Sequence, residues 1–217
     1  MFNGIGLPEL REALIYLIMI VSSLALHEWG HAYMADRRGD PTPRSQGRVT
    51  LNPVAHIDLL GTIIIPFLGA IGFFGGFSMI GWAKPVMINP SYFRRRNYDC
   101  AWVTLAGPGM NLLLALAALV LAAISYRVFP SLNPLFLLLM QVNVGLMVFN
   151  LMPIPPLDGS KFYMYWFGMK EETYMRLSTW GPLALILMLN MQAGRDVLRL
   201  IFGLAYLPFE LLYGALT

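Results

Sequence analysis

The apolar residues of this 217-residue chain fall in long blocks separated by short charged groups. Residues 13–27, 59–83, 100–126, 128–157 and 177–194 contain no Asp, Glu, Lys or Arg, and 200–217 carries only Glu210. A bilayer span takes about 20 mainly apolar residues, so the pattern predicts several membrane helices. The first is expected over 10–38, apolar from Ala13 to Leu26, polar towards Asp36, Arg37 and Arg38, and ended by Gly39-Asp40-Pro41. Others are expected at 100–127, 133–152, about 173–192 and 196–214. Residues 41–58 read as a polar connection with a short strand and turn at Gly47–Pro53. The block 59–83 is interrupted by Pro66 and six glycines, and each interior glycine costs a helix about 1 kcal/mol. A re-entrant or broken segment is therefore expected there at least as readily as a straight span. The flanking loops, Arg37 to Arg48 and Lys84 to Arg96, are both basic, and the positive-inside bias assigns both to the cytoplasm. The expected fold class is an all-α polytopic membrane protein, with about 5–6 transmembrane helices and a re-entrant or short β segment near the candidate site. Residues 1–217 are expected to form a single membrane-embedded domain.

Composition agrees with that reading. The chain is 57% hydrophobic and only 12% charged, against about 25% charged in soluble domains. A water-soluble fold is excluded, because too few polar residues remain to cover its surface. The net charge of +3 does not imply nucleic-acid binding, since the arginines flank apolar blocks and no soluble domain displays a basic face. Cys100 is the only cysteine, so neither an internal disulfide nor a cysteine metal cluster can form. Arg11 before an apolar run, with Ser23-Leu24-Ala25 after it, resembles a cleavable signal, but Glu9 and Glu12 cancel the positive start. The segment is expected to be retained.

The strongest chemical signal is His27-Glu28-Trp29-Gly30-His31 at the end of the first apolar run. At 3.6 residues per turn His27 and His31 leave one helix face and can grip one metal ion, with Glu28 offset by about 100°. Ionisable groups within a membrane are costly and point to function. Zinc accepts imidazole ligands and leaves a position for water in catalytic sites, and Glu28 is placed to act as general base. Such sites commonly have three protein ligands, and His56 and Asp158 are the candidates for the third. Asp158 follows Asn150-Leu151-Met152-Pro153-Ile154-Pro155-Pro156-Leu157, whose prolines force an extended path. A carboxylate between an apolar helix and an aromatic-rich segment is costly unless paired or ligating; capping a following helix is the plainer role. His56 reads mainly as a loop residue, with a substrate-side role as the alternative. Asn111, Gln141 and Asn143 read as helix-packing residues. Residues 162–167 read as an interfacial aromatic belt.

His27-Glu28-x-x-His31 together with Asn150-x-x-Pro153-x-Pro155-Pro156-Leu157-Asp158-Gly159 resembles the site-2 protease family of intramembrane zinc metalloproteases. The stretches Gly47–Asp58, Gly81–Pro85 and Ala106–Asn111 resemble those of its short bacterial members. The resemblance covers about residues 20–165 and implies three core helices, matching 10–38, 100–127 and 133–155. It implies that His27, His31 and Asp158 ligate zinc, that Glu28 is the catalytic base, and that Asn150 holds the substrate or its developing oxyanion. It also implies membrane-anchored protein substrates and a bacterial cell membrane. With re-entry at 59–83 the N-terminus is expected outside and the site near the cytoplasmic side. That topology puts Lys161 and Lys170 inside, and Arg127, Arg195 and Arg199 outside. No PDZ or CBS module is visible in the chain. A substrate helix must be locally unwound to be cut, and extended edges at Arg48–Asn52 and Trp82–Asn89 could accept it by main-chain pairing. The competing readings are a non-proteolytic metal-binding or metal-transport membrane protein, which gives Glu28 no task, and an inactive relative, which the intact residue set argues against.

Overall fold

The computed structural model describes residues 6–71 and 82–217. The first helix, α1 (Leu7–Arg37), ends where the pattern predicts: Gly39 sits at φ +104°, a conformation suited to glycine, and Pro41 follows. A short α2 (Thr42–Ser45) leads to a 3₁₀ turn at Pro53–His56, a π-helical stretch Leu59–Ile64 and α3 (Ile65–Ala70). After a second 3₁₀ turn at Pro90–Tyr92 come α4 (Arg96–Val128), α5 (Asn133–Leu151), α6 (Asp158–Trp166), α7 (Glu171–Asn190) and α8 (Gln192–Leu216).

Four helical stretches are long and apolar enough to cross a membrane: Leu10–Arg37, Arg96–Val128, Pro130–Leu151 and Gln192–Leu216. The protein is thus an integral membrane protein by length and composition, with four candidate spans among the described residues where the sequence predicted 5–6. Helix α7 accounts for part of the difference, because its first turns carry Glu171, Glu172 and Arg176 and it is apolar only from Leu177 onward. The other part is the glycine-rich block, where the described portion is a short apolar helix, Leu59–Gly69. The expectation of re-entry concerns residues 59–83, of which 72–81 lie outside the described residues. The two ends of the block do meet. Trp82 N–H donates to Gly61 O (3.0 Å), the Thr62 hydroxyl to Trp82 O (2.8 Å), and Lys84 N–H to His56 O (2.9 Å).

The core is built on α4. Its small residues Ala115 and Ala118, with Leu119, pack against Met140, Val144 and Val148 of α5 and Phe209 of α8; small side chains of this kind let membrane helices approach closely. Ile20 and Leu24 of α1 meet Val142 and Leu146 of α5. At Gly30, α1 touches α4 so closely that a Cβ would strike the Ala106 carbonyl. A buried polar chain crosses all three helices: Asn111 Nδ2 donates to Asn143 Oδ1, and Asn143 Nδ2 to Ser23 Oγ, both at 3.0 Å. Such interhelical bonds contribute about 0.6 kcal/mol each on average.

No β-strand forms among the described residues, which corrects the expected strand at Gly47–Pro53 and the short β segment. Pro53 and Pro85 lack the N–H groups a ladder needs. The carbonyls available for pairing are also occupied. Arg48, only 5% exposed, donates to Ala55 O, to Lys84 O (3.2 Å) and to Pro85 O (3.0 Å). Residues 82–89 consequently run as an irregular strap held by side chains.

Candidate active site and metal centre

Helix α1 presents His27 and His31 one turn apart towards α4, and α6 supplies Asp158. The helix before Asp158 stops at Leu151, and the proline-rich turn that follows returns the chain to the same depth. Gly159 is required there, because a Cβ would strike the Leu151 and Met152 carbonyls. The predicted trio converges. His27 Nε2 and His31 Nε2 lie 3.0 and 3.1 Å from Asp158 Oδ2, and 3.1 Å from each other. Both histidines are buried.

The outer nitrogen of each ring is fixed. His31 Nδ1 lies 2.7 Å from the Val103 carbonyl, which can only accept, so this nitrogen carries the proton. His27 Nδ1 lies 2.5 Å from Asn111 Oδ1, whose amide nitrogen is in turn committed to Asn143. With Nδ1 protonated, each neutral ring aims its Nε2 lone pair at the centre, the arrangement of a metal-binding histidine. Three electron-pair donors therefore face one another at nearly equal spacing. Tetrahedral zinc with bonds of about 2.0–2.1 Å separates its ligand atoms by about 3.3 Å, close to the spacing observed. Room for an ion comes from α4, where Gly107 is so near that a Cβ would occupy the space against His31 Nε2 and His27 Nε2. The donor set and the space both fit a zinc ion.

Glu28 lines a cavity of about 70 Å³ with His31, Asp158, Val86, Thr104 and Lys161. Its Oε2 accepts the Val86 N–H at 3.0 Å. Lys161 Nζ lies 3.8 Å from Asp158 Oδ1, the carboxylate oxygen not facing the histidines. Asp158 is the first residue inside α6, one position past its N-cap Leu157, so the plainer capping role is not the one seen.

The other sequence candidates sit differently. Asn150 is partly buried and its amide donates to Leu146 O of its own helix (3.0 Å). His56 is buried under the strap, with Nε2 3.0 Å from Thr50 O and Nδ1 unpartnered, and it makes no bond to the histidine–aspartate centre. Asn143 packs helices as expected. Asn111, expected only to pack helices, also holds His27. Sequence reasoning missed the site roles of Asn111, Gly107, Lys161, and the clamp residues Arg48 and Asp40. Asp40 is fully buried and accepts from Thr42 N–H (2.9 Å) and Asn89 N–H (2.7 Å). One signal was present: a glycine inside an otherwise apolar helix costs about 1 kcal/mol and asks for a reason, which at Gly107 is the histidine pair.

The model of peptidase family M50 matches residues 15–132. A Bacillus subtilis protein named "Putative zinc metalloprotease YwhC" is 36% identical over 151 residues, covering 66% of this chain and 64% of that protein. Two mycobacterial proteins named "Putative zinc metalloprotease Rip2" also match. The Mycolicibacterium smegmatis protein is 36% identical over 67% of this chain and 55% of its own length. The Mycobacterium tuberculosis protein is 33% identical over 96% of this chain and 79% of its own length. The chain thus spans under two thirds of the first two relatives. No solved structure gives a significant match. The matched segment contains both histidines, Glu28, Gly107 and Asn111, and the chain belongs to peptidase family M50.

Proposed function

We propose that this protein is an intramembrane zinc endopeptidase that cuts within the membrane-spanning segments of membrane-anchored proteins. The observation carrying the proposal is that Glu28 shares one small cavity with His31 and Asp158, two of the three convergent donors, at the ends of helices apolar enough to lie in lipid. A metal-storage or transport site would give no task to a carboxylate placed beside the donors but outside them.

His27, His31 and Asp158 would hold the ion. When bound, zinc supplies Lewis-acid polarisation of a carbonyl and makes water a readier acid. Glu28 then has two duties: to take a proton from the attacking water and to return it to the leaving amine. The Val86 N–H fixes one of its oxygens and leaves the other as the acceptor. Lys161 attracts Asp158 Oδ1 and so keeps Oδ2 turned towards the histidines. Pro85, Val86 and Ile88 of the strap line the cavity, so an unwound substrate segment lying along Trp82–Asn89 would bring its amides beside Glu28. Asn150 could serve the oxyanion once its amide leaves Leu146 O. His56 would act on the substrate side indirectly, since its carbonyl anchors Lys84.

The site is proposed to face the cytoplasm of a bacterial cell. Supporting this, Gly61 and Trp82 are hydrogen-bonded, as the two ends of a re-entrant block would be, and the loops flanking that block are both basic.

The test is cleavage of single-span substrates by the parent and by Glu28→Gln at matched zinc content. Cleavage within the span by the parent alone is expected, with zinc retained by both. Equal cutting by both would remove Glu28 from the mechanism, and retention of zinc with no cutting by the parent across a broad panel would favour metal binding without hydrolysis.

A further inference from the structure

Away from the metal centre, α1 and α4 leave a groove with two chemically distinct parts. At the polar end a cleft of about 430 Å³ is lined by Arg37, Arg38, Arg94 and Arg95, with Asp99 as its only carboxylate. Asp99 is already engaged, accepting from Arg38 Nη1 (2.7 Å) and from the Arg95 backbone N–H (2.9 Å). Asp36, the acid next to Arg37, is held by both nitrogens of an Arg44 fork at 2.7 and 2.8 Å. The cleft thus carries a net positive charge that the fold does not neutralise. Further along the same two helices lies an apolar slot of about 260 Å³, whose walls include Trp29, Leu105, Met110 and Leu113. A collar of aromatic rings joins the two parts. The Arg38 guanidinium lies 5.5 Å from the Tyr98 ring and 5.8 Å from that of Trp102, and Arg37 lies 5.5 Å from Tyr33.

We propose that this groove binds one anionic phospholipid, with its phosphate among the arginines and an acyl chain in the slot. Four guanidiniums supply donors for phosphate oxygens in the fork geometry that suits them. Basic pockets between membrane helices on the cytoplasmic side recognise anionic head groups, and Trp and Tyr prefer the depth at which head group and chain meet. The uncompensated arginines beside the slot favour an anionic lipid over an apolar substrate helix. An acyl chain is thin enough to lie along the slot, whereas a helix about 10–12 Å across could place only side chains there. The slot is walled by the helix that carries the histidines and the helix that orients them, and the cleft by the end of the first, the start of the second and the residues flanking both, so a bound lipid would brace the pair next to the site.

The full chain, freed of co-purified lipid in detergent, would be titrated with phosphatidylglycerol and phosphatidylcholine of identical chains and read by native mass spectrometry. One phosphatidylglycerol is expected to bind at least tenfold more tightly than phosphatidylcholine. The double variant Arg94→Gln/Arg95→Gln should weaken phosphatidylglycerol by roughly thirtyfold, from the loss of two charges at a membrane surface. Gly109→Leu should weaken both lipids, since a Cβ at Gly109 meets nothing within the protein and the added side chain would enter the slot. Equal binding of the two lipids by the parent would overturn the proposal, as would phosphatidylglycerol affinity unchanged in either variant. Glycerol 3-phosphate binding as tightly as the lipid would also overturn it, leaving an anion site with no use for the slot.

Discussion

A single missing methyl group makes space at the centre of this molecule. Gly107 stands where a Cβ would press against both Nε2 atoms, so Gly107→Ala should lower zinc affinity more than tenfold in a chelator competition. Gly109→Ala, two residues along where a Cβ meets nothing, should leave it unchanged. Asn111 acts on the outer side of His27. Replacing it with Leu removes the acceptor that fixes the ring, and loss of such a partner costs about 10–100-fold in metal affinity; the same competition measures it. These roles were differently legible. His27, Glu28 and His31 lie within five residues of one helix, and the helical period alone places them. Asp158 could be suspected because prolines halt an apolar helix just before it. Gly107 and Asn111 take their meaning from the register in which α4 crosses α1, and no spacing along the chain encodes that.

Among elements, the strap Trp82–Asn89 shows how side chains can do the work of a sheet. Sequence reading offered this segment as an extended edge, where the structure has an irregular strap, and missed what holds it, because buried Arg48 and Asp40 look like ordinary loop charges until their carbonyl and amide partners are seen. Arg48 is the main clamp, and hydrogen bonds to a charged group are worth about 1.5–3 kcal/mol each. Arg48→Met should therefore lower unfolding stability by about 2–4 kcal/mol, read by thermal unfolding in detergent. It should also release the Val86 N–H from Glu28, so kcat on a cleaved substrate should fall while zinc content stays near one per chain. An unchanged kcat would show that Glu28 does not need the strap. The long helices were readable to within four residues at each end, since an uncharged block of about 20 or more residues has few other ways to satisfy its backbone in lipid. Helix α7 was over-read because its acidic start lies just outside the uncharged block.

At the level of the whole molecule, the topology can be read by labelling, because Cys100 is the only cysteine. In a Cys100→Ser background, Ser45→Cys and Ser91→Cys should react with an impermeant maleimide from the same side of the membrane, and Ser131→Cys, in the turn between α4 and α5, from the other. Labelling of positions 45 and 91 from opposite sides would mean that the glycine-rich block crosses. A last consequence concerns order of synthesis. The aspartate lies 131 and 127 positions after the two histidines it joins. At about 5–20 residues per second, the ribosome needs on the order of ten seconds to bring the third donor after the second. Until then the first helix sits in the bilayer with its histidines unmatched, so chains ending after Leu151 should hold no zinc, while those extended through Asn190 should. The centre is thus time-locked: its three donors can meet only when translation of its third core helix is over.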